Sequence, residues 1–319
     1  MKAHERTVGV VVAICVVGGM APMYAGAGEI CAAGYNGYGQ CNAPSGSDFI
    51  AVAGGYDHSV GLKEDGSLVG WGDIHYDMPP GTDFRAISAG GFGPGEGHGL
   101  ALRADGRIAG WGENDYGLGE RPWQTGHIAI AAGGMHNLAL TADGSLVAWG
   151  RNLERQCNVP GGNGYLGIAA GYMWSGAIRE NGTLCAWGLS SGQTGVPAGD
   201  DFVSITAGWG HGIALRRDGS LAGWGHNDYG QCDVPEGNNF IAVSAGRWHT
   251  LALTDDGQIV AWGRSEMDNL DVPQGGPFVA MSAGEWHNLA LTPEPTALSL
   301  LLVGALAMGW RSRRHRLGV

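Results

Sequence analysis

Hydrophobic positions in this chain recur on two scales, a short one of two residues and a long one of about 38. Within each long period a run of the type Phe/Ile-x-Ala-Val/Ile-x-Ala-Gly leads to His-x-Leu-Ala-Leu. An Asp-Gly pair and a run of the type Ser-Leu-Val-Ala-Trp-Gly follow. Runs such as Leu138-Ala-Leu140 and Leu251-Ala-Leu253 are short and alternating, as strands are when successive side chains leave on opposite faces. Asp-Gly or Asn-Gly between two such runs signals a hairpin, and a two-residue turn there needs positive φ at both residues. Each period therefore predicts a small antiparallel sheet of three or four strands.

Three markers give the number of units. Trp-Gly recurs at Trp71, Trp111, Trp149, Trp187, Trp224 and Trp262, and the segment Cys31–Cys41 matches Gly223–Cys232 as a seventh, degenerate copy. A small-residue loop ending in His recurs at His58, His98, His136, His211, His249 and His287, with Trp174 in the remaining unit. The turn pair, from Asp65-Gly66 to Asp256-Gly257, occurs only six times. The chain opens on the second half of a unit, Ile30–Pro44, and closes on the first half of one, Phe278–Leu291. Joining the halves closes a ring that leaves few sheet edges exposed, whereas an open solenoid would need capping repeats. The expectation is all-β: a seven-bladed β-propeller over residues 28–292, closed by an N-terminal and a C-terminal half-blade.

Composition agrees with many tight turns between packed strands. Gly numbers 60 without a three-residue period, which excludes collagen, and 12 Trp with 44% hydrophobic residues exclude low-complexity disorder. Once the ends are set aside, the body holds 12 Lys and Arg against 28 Asp and Glu. Such a surface repels phosphate backbones, so nucleic acid is not an expected partner. Cys41, Cys157 and Cys232 share one repeated position and Cys31 and Cys185 another. That spacing predicts neither disulfides nor a zinc site, and buried small hydrophobes are expected instead.

The two ends read as addresses. Lys2, His4 and Arg6 precede an apolar run from Val8 to Val17, and Ala25-Gly26-Ala27 fits a small-x-small cleavage site, so residues 1–27 are expected to be a secretory signal peptide. Residues 293–319 combine Pro293-Glu294-Pro295, an apolar stretch Thr296–Trp310 short for a full span, and a basic cluster with Arg311, Arg313, Arg314 and Arg316. This tail resembles the PEP-CTERM sorting signal of Gram-negative bacteria. The resemblance implies processing by an exosortase-type membrane protease, a transient transmembrane segment, and delivery to the cell surface or extracellular matrix.

The repeated motifs, Ala-Gly-x-x-His-x-Leu-Ala-Leu, an Asp-Gly turn and Trp-Gly-x-Asn-x-x-Gly-Gln, resemble the RCC1 (regulator of chromosome condensation) repeat over residues 30 to 291. The units are shorter than those of the founding member, so its longer loops are expected to be missing.

Residues repeated in every blade are explained by blade construction, whereas catalysis needs a unique constellation. The recurring His residues are therefore expected to hydrogen-bond within each blade, the Trp-Gly indoles to pack between sheets, and the turn Asp residues to serve the turns. Tyr38, Tyr116 and Tyr229 recur in Asn-x-Tyr-Gly loops, where they serve loop packing or form a binding rim. No phosphate loop, zinc helix or nucleophile elbow is present, and no cofactor, metal or catalytic residue is expected. The candidate binding rim is Trp174, Trp209, Trp248 and Trp286, taken to lie in one loop of four successive blades beside Arg247 and Glu285. Phe92 of the Gly91–Gly97 expansion and Trp123 complete it. The expected function is a non-catalytic, exported module binding protein or polysaccharide. A propeller hydrolase or lyase is the alternative, and guanine-nucleotide exchange follows less well from an exported chain.

Overall fold

The computed structural model describes residues 27–120, 122, 124–189 and 193–293, together with a backbone pair of two-residue strands, Cys15–Val16 and Gly19–Met20. Seven antiparallel sheets of three strands carry nearly all of the structure. The first blade runs inner strand Phe49–Gly54, middle strand His58–Lys63 and outer strand Leu68–Gly72. The five complete blades after it start at Phe84, His127, Tyr165, Phe202 and Phe240. The seventh joins Ala280–Ala283 and His287–Leu291 to Ile30–Gly34, in the register His287 opposite Gly34 and Leu291 opposite Ile30. The two chain halves thus complete one blade and the ring closes. Three strands per blade is the lower of the two expected numbers.

Inner and middle strands are both buried almost throughout, and the inner ones pack against the neighbouring blades. Ala53, Ala89, Ala131, Ala132, Ala170 and Ala207 are all nearly or fully buried. Small side chains there let seven strands converge. A register shift follows the first residue of six inner strands, so Phe49, Phe84, His127, Tyr165, Phe202 and Phe240 turn into the sheet while the next residue is left over. A cation covers several of these rings: Lys63 on Phe49, Arg103 on Phe84, Arg179 on Tyr165 and Arg216 on Phe202.

The hairpin turns differ from expectation. Only their glycines have positive φ, for example 79° at Gly66 and 78° at Gly144, while the preceding Asp residues do not. The loop is therefore three residues long, Glu64-Asp65-Gly66 in the first blade, closed by Gly66 N–H to Lys63 O at 2.9 Å. Asp65 caps it by accepting from Ser67 N–H (2.8 Å) and Ser67 Oγ–H (2.6 Å), which holds its carboxyl below the usual range.

The blades are joined through the recurring residues, and here the expectation is corrected: the His side chains bond between blades, not within them. His98 Nε2 meets Asn137 Oδ1 (2.9 Å), His136 meets Ser175 (2.8 Å), His211 meets Thr250 (3.0 Å), His249 meets Asn288 (2.9 Å) and His287 meets Ser59 (2.8 Å). Ser175 gives its one hydroxyl proton to Gln156 O, so His136 must be the donor at Nε2. The same Gln156 O accepts the Trp187 indole N–H at 2.9 Å, just as Gln40 O takes Ser59 and Trp71. A single main-chain carbonyl thereby ties two elements of the next blade.

The joint between the first and second blades lacks this arrangement. Gly99 stands at the acceptor position, and neither His58 nor Trp111 makes the side-chain-to-side-chain or shared-carbonyl bond found at the other joints. Tyr76 packs edge-on to His58 at 6.0 Å, and apolar contact among Val60, Leu62, Ile87 and Trp111 holds the two sheets together.

Candidate functional site

His58 pairs with Gly72 across the first blade, and Asp73 N–H bonds Asp57 O at 2.8 Å. The loop entering each middle strand and the loop leaving each outer strand therefore lie on one face. The turns lie on the other.

On this face the two residues before each His vary while the blade around them does not, and the non-repeated chemistry is concentrated there. Phe92 stacks on Tyr172 with centroids 4.9 Å apart, and Tyr172 stacks on Trp209, also at 4.9 Å. Trp209 leans on Trp248 at 4.5 Å, and Trp248 touches Tyr229 at 5.6 Å and His226 at 5.0 Å. The column begins in the second blade and passes over the third, which has Gly134 at this place. A Cβ on Gly134 would come within 2.6 Å of the Tyr172 ring, so glycine is what lets the ring lie there.

Two arginines complete the array. The Arg247 guanidinium lies 5.9 Å from Tyr56, 5.9 Å from Trp248 and 5.4 Å from Trp286, bonds Tyr56 Oη at 3.3 Å and faces Glu285 at 3.6 Å. Arg264 sits over Tyr229 (4.7 Å) and Trp286 (5.7 Å) and pairs with Glu266. Tyr56, Tyr172, Trp209, Arg247 and Glu285 ring the mouth of the central channel. Burial and the nearby Asp57 charge push the Glu285 carboxyl up to about 8, against the pull of Arg247. Burial and Asp73 push Asp57 up to about 7.

Trp209, Trp248, Trp286 and Phe92 thus share this face. Trp174 does not: it occupies the His position, is fully buried, and donates its indole N–H to Gly208 O at 3.3 Å. The following blade offers Gly212, as the second blade offers Gly99, where the other five offer a hydroxyl or amide; at this joint an indole reaching a carbonyl takes the place of the imidazole. The remaining three tryptophans are not at one loop position either, since Trp209 precedes its His by two residues and Trp248 and Trp286 by one. Trp123 lies outside the described residues, as do Glu294, Pro295, Arg311, Arg313 and Arg314; Pro293 is the last described residue and is buried. Among the described residues no helix is long and apolar enough to cross a membrane, and the stretch 296–310 lies outside them.

Tyr56, Tyr172 and Arg264 are the members that sequence reasoning missed. The first two occupy the same variable position as Trp209, and lining up the residues two before each His would have shown them. The loop Tyr residues make only edge contacts in their loops, Tyr38 with Tyr35 and Tyr229 with His226, each with centroids 6.2 Å apart. Asn36 Oδ1 accepts from Cys41 N–H (2.9 Å) and Gln40 Oε1 from Tyr38 N–H (3.0 Å), which closes the loop through the Asn and Gln side chains. The rings of Tyr38, Tyr116 and Tyr229 are left 42%, 46% and 41% exposed. The cysteines are not inert hydrophobes: Cys41 Sγ points at Ala33 O and Tyr35 O, Cys232 at Trp224 O and His226 O, as weak donors. Burial raises both thiols, to about 11 and about 12, so they carry no thiolate chemistry. Among the described residues no group of His, Cys, Asp or Glu is placed to hold a metal ion.

A closed ring of seven three-stranded blades, with its one-of-a-kind residues gathered at one channel mouth, is the architecture of a β-propeller. The Regulator of chromosome condensation (RCC1) repeat profile matches residues 49–74, 128–156, 202–231 and 240–267, so the chain carries RCC1 repeats and is an RCC1-like propeller. No curated protein matches it. Similar solved structures include Prp20p from Saccharomyces cerevisiae, with TM-score 0.69 and 16% identity over 89% of this chain and 96% of that one. Human WBSCR16 gives TM-score 0.69 and 15% identity over 84% and 100% of the two chains. The ectodomain of the receptor kinase CR4 from Physcomitrella patens gives 0.61 and 24% over 77% and 71%.

Proposed function

We propose that the protein is an exported, non-catalytic binding module whose recognition surface is the channel-mouth face, with a protein or polysaccharide as ligand. The observation that carries this reading is the aromatic–arginine array. It is built from positions that differ from blade to blade, where the ring itself needs only a turn, and clustered aromatics with arginine are the usual material of binding hot spots. Similar propellers engage proteins: Prp20p is described with binding to Gsp1p and histones, and in complex with Kap60. Export rests on the sequence signals at both ends and predicts a mature N-terminus at Gly28, readable by N-terminal sequencing of secreted protein.

The test is binding of the 28–292 protein to a glycan array and, in parallel, a surface pull-down. Each is repeated with Trp209→Ala and Trp248→Ala. Ligand retention by the parent and its loss in variants that keep their folded spectrum is the expected result. Equal retention would remove the face from consideration.

One observation favours a hydrolytic reading: Glu285 lines the mouth with the buried, non-repeated Asp57 close enough to act on it, and burial raises both carboxyls. If it holds, cleavage of an extracellular polysaccharide is abolished in Glu285→Gln. Absence of any released reducing ends with the parent protein rules it out.

A further inference from the structure

The outer loops of the channel-mouth face repeat a second pattern, an exposed apolar side chain beside an exposed carboxylate. Asp115 precedes Tyr116, Asp228 precedes Tyr229, and Glu266 and Asp268 flank Met267, which is 53% exposed. Tyr38 has no acid in its own loop but lies in the field of Asp57 and Asp73. Loop closure through the Asn and Gln side chains does not require these rings, so construction leaves them unexplained.

The protein itself shows what such a pair receives. Arg264 lays its guanidinium on Tyr229 at 4.7 Å and directs its end to Glu266. Ring, guanidinium and carboxylate form one unit, the arrangement in which cation–π attraction and ion pairing reinforce each other. No such cation contact is made by Tyr38 or Tyr116 among the described residues. Three arginines of this face are spent inside the protein, Arg247 on Glu285, Arg264 on Glu266 and Arg151 on Glu154, and Arg155 is exposed. The face is left with a surplus of carboxylates, and the strongly acidic body adds a field of the same sign around it.

We propose that this face docks a lysine- or arginine-rich polypeptide, whose basic side chains settle at Tyr38, Tyr116 and the Met267 loop as Arg264 settles at Tyr229. This rests on the reading of the face as the recognition surface and names its partner's chemistry. A neutral glycan fits less well, because the faces of Tyr172 and Trp209 that would serve as sugar platforms are covered by one another and by Phe92.

The test uses the purified protein and a fluorescein-labelled oligolysine peptide, with dextran and oligoglutamate as competitors and salt as a variable. Saturable binding that weakens with salt is expected. The pair Tyr38→Ser/Tyr116→Ser, which changes no charge, and the pair Asp115→Asn/Asp268→Asn are each expected to weaken it about tenfold, the effect of losing about 1.4 kcal/mol. Asp105→Asn/Asp218→Asn removes the same charge from the turn face and is expected to change affinity less than about twofold. Equal weakening by the turn-face pair, or no saturable binding of oligolysine, overturns the proposal. A glycan bound by this face in place of oligolysine overturns it too while leaving the recognition face standing, and a face that engages no ligand class removes both.

Discussion

At the scale of single residues, the His bond between blades has consequences for stability and for its dependence on pH. Asn137 is the sharpest case, because it accepts from His98 and donates to Leu118 O. Asn137→Ala strands both partners in a dry interior and is expected to cost about 2–3 kcal/mol in urea unfolding. Six buried imidazoles, at His58, His98, His136, His211, His249 and His287, are held by burial at about 3 to 4, far below their ordinary 6.5. The unfolded chain takes up protons that the folded one refuses, so their contribution is intact above pH 6.5 and is lost as pH falls toward 4. Asp57 and Glu285 act oppositely: raised carboxyls stabilise the fold less as pH rises from about 4 to about 8. Six groups outweigh two, and the melting temperature is expected to peak near neutrality and drop steeply below pH 6. A profile flat down to pH 4 would mean the imidazoles are not buried as described.

At the scale of elements, the turns show how far the sequence could be read. Alternating runs on either side of Asp-Gly gave the hairpins and their number. They did not give the turn type, because Asp-Gly suits both a two-residue loop with two positive φ values and a three-residue loop with one. The choice is made by the donor two residues on, such as Ser67 N–H to the Asp65 carboxylate. The recognition face was legible in part. Tryptophans stand out in a sequence, whereas a tyrosine such as Tyr172 gains its meaning only from Phe92 two blades away. Trp174 misled because its neighbours in sequence are those of a loop while its partner, Gly208 O, lies in the next blade. Glycines at turns also differ by surroundings more than by φ. A Cβ on Gly182 (φ 77°) would fall 2.0 Å from Asp200 O, while one on Gly162 (φ 99°) meets nothing within 4 Å. Gly162→Ala is expected to cost about 1 kcal/mol and Gly182→Ala at least about 3. Comparable losses would show that conformation alone decides.

At the scale of the whole molecule, closure by two half-blades places the described ends side by side, with Thr292 N–H on Glu29 O at 3.1 Å. A circular permutant joining residue 293 to residue 27 and opened between Gly161 and Gly162, both exposed, is expected to fold with a melting temperature within a few degrees of the parent. Failure to fold would show that the split blade must assemble from chain ends. The joint between the first and second blades lacks the His bond and leans on apolar contact around Leu62 and Trp111. Apolar attraction weakens on cooling, whereas the polar joints do not share that dependence. Chilled toward freezing, the propeller is expected to loosen at this seam first, and hydrogen exchange at Ile87 and Val60 would quicken in the cold while the five His-bonded joints stay shut.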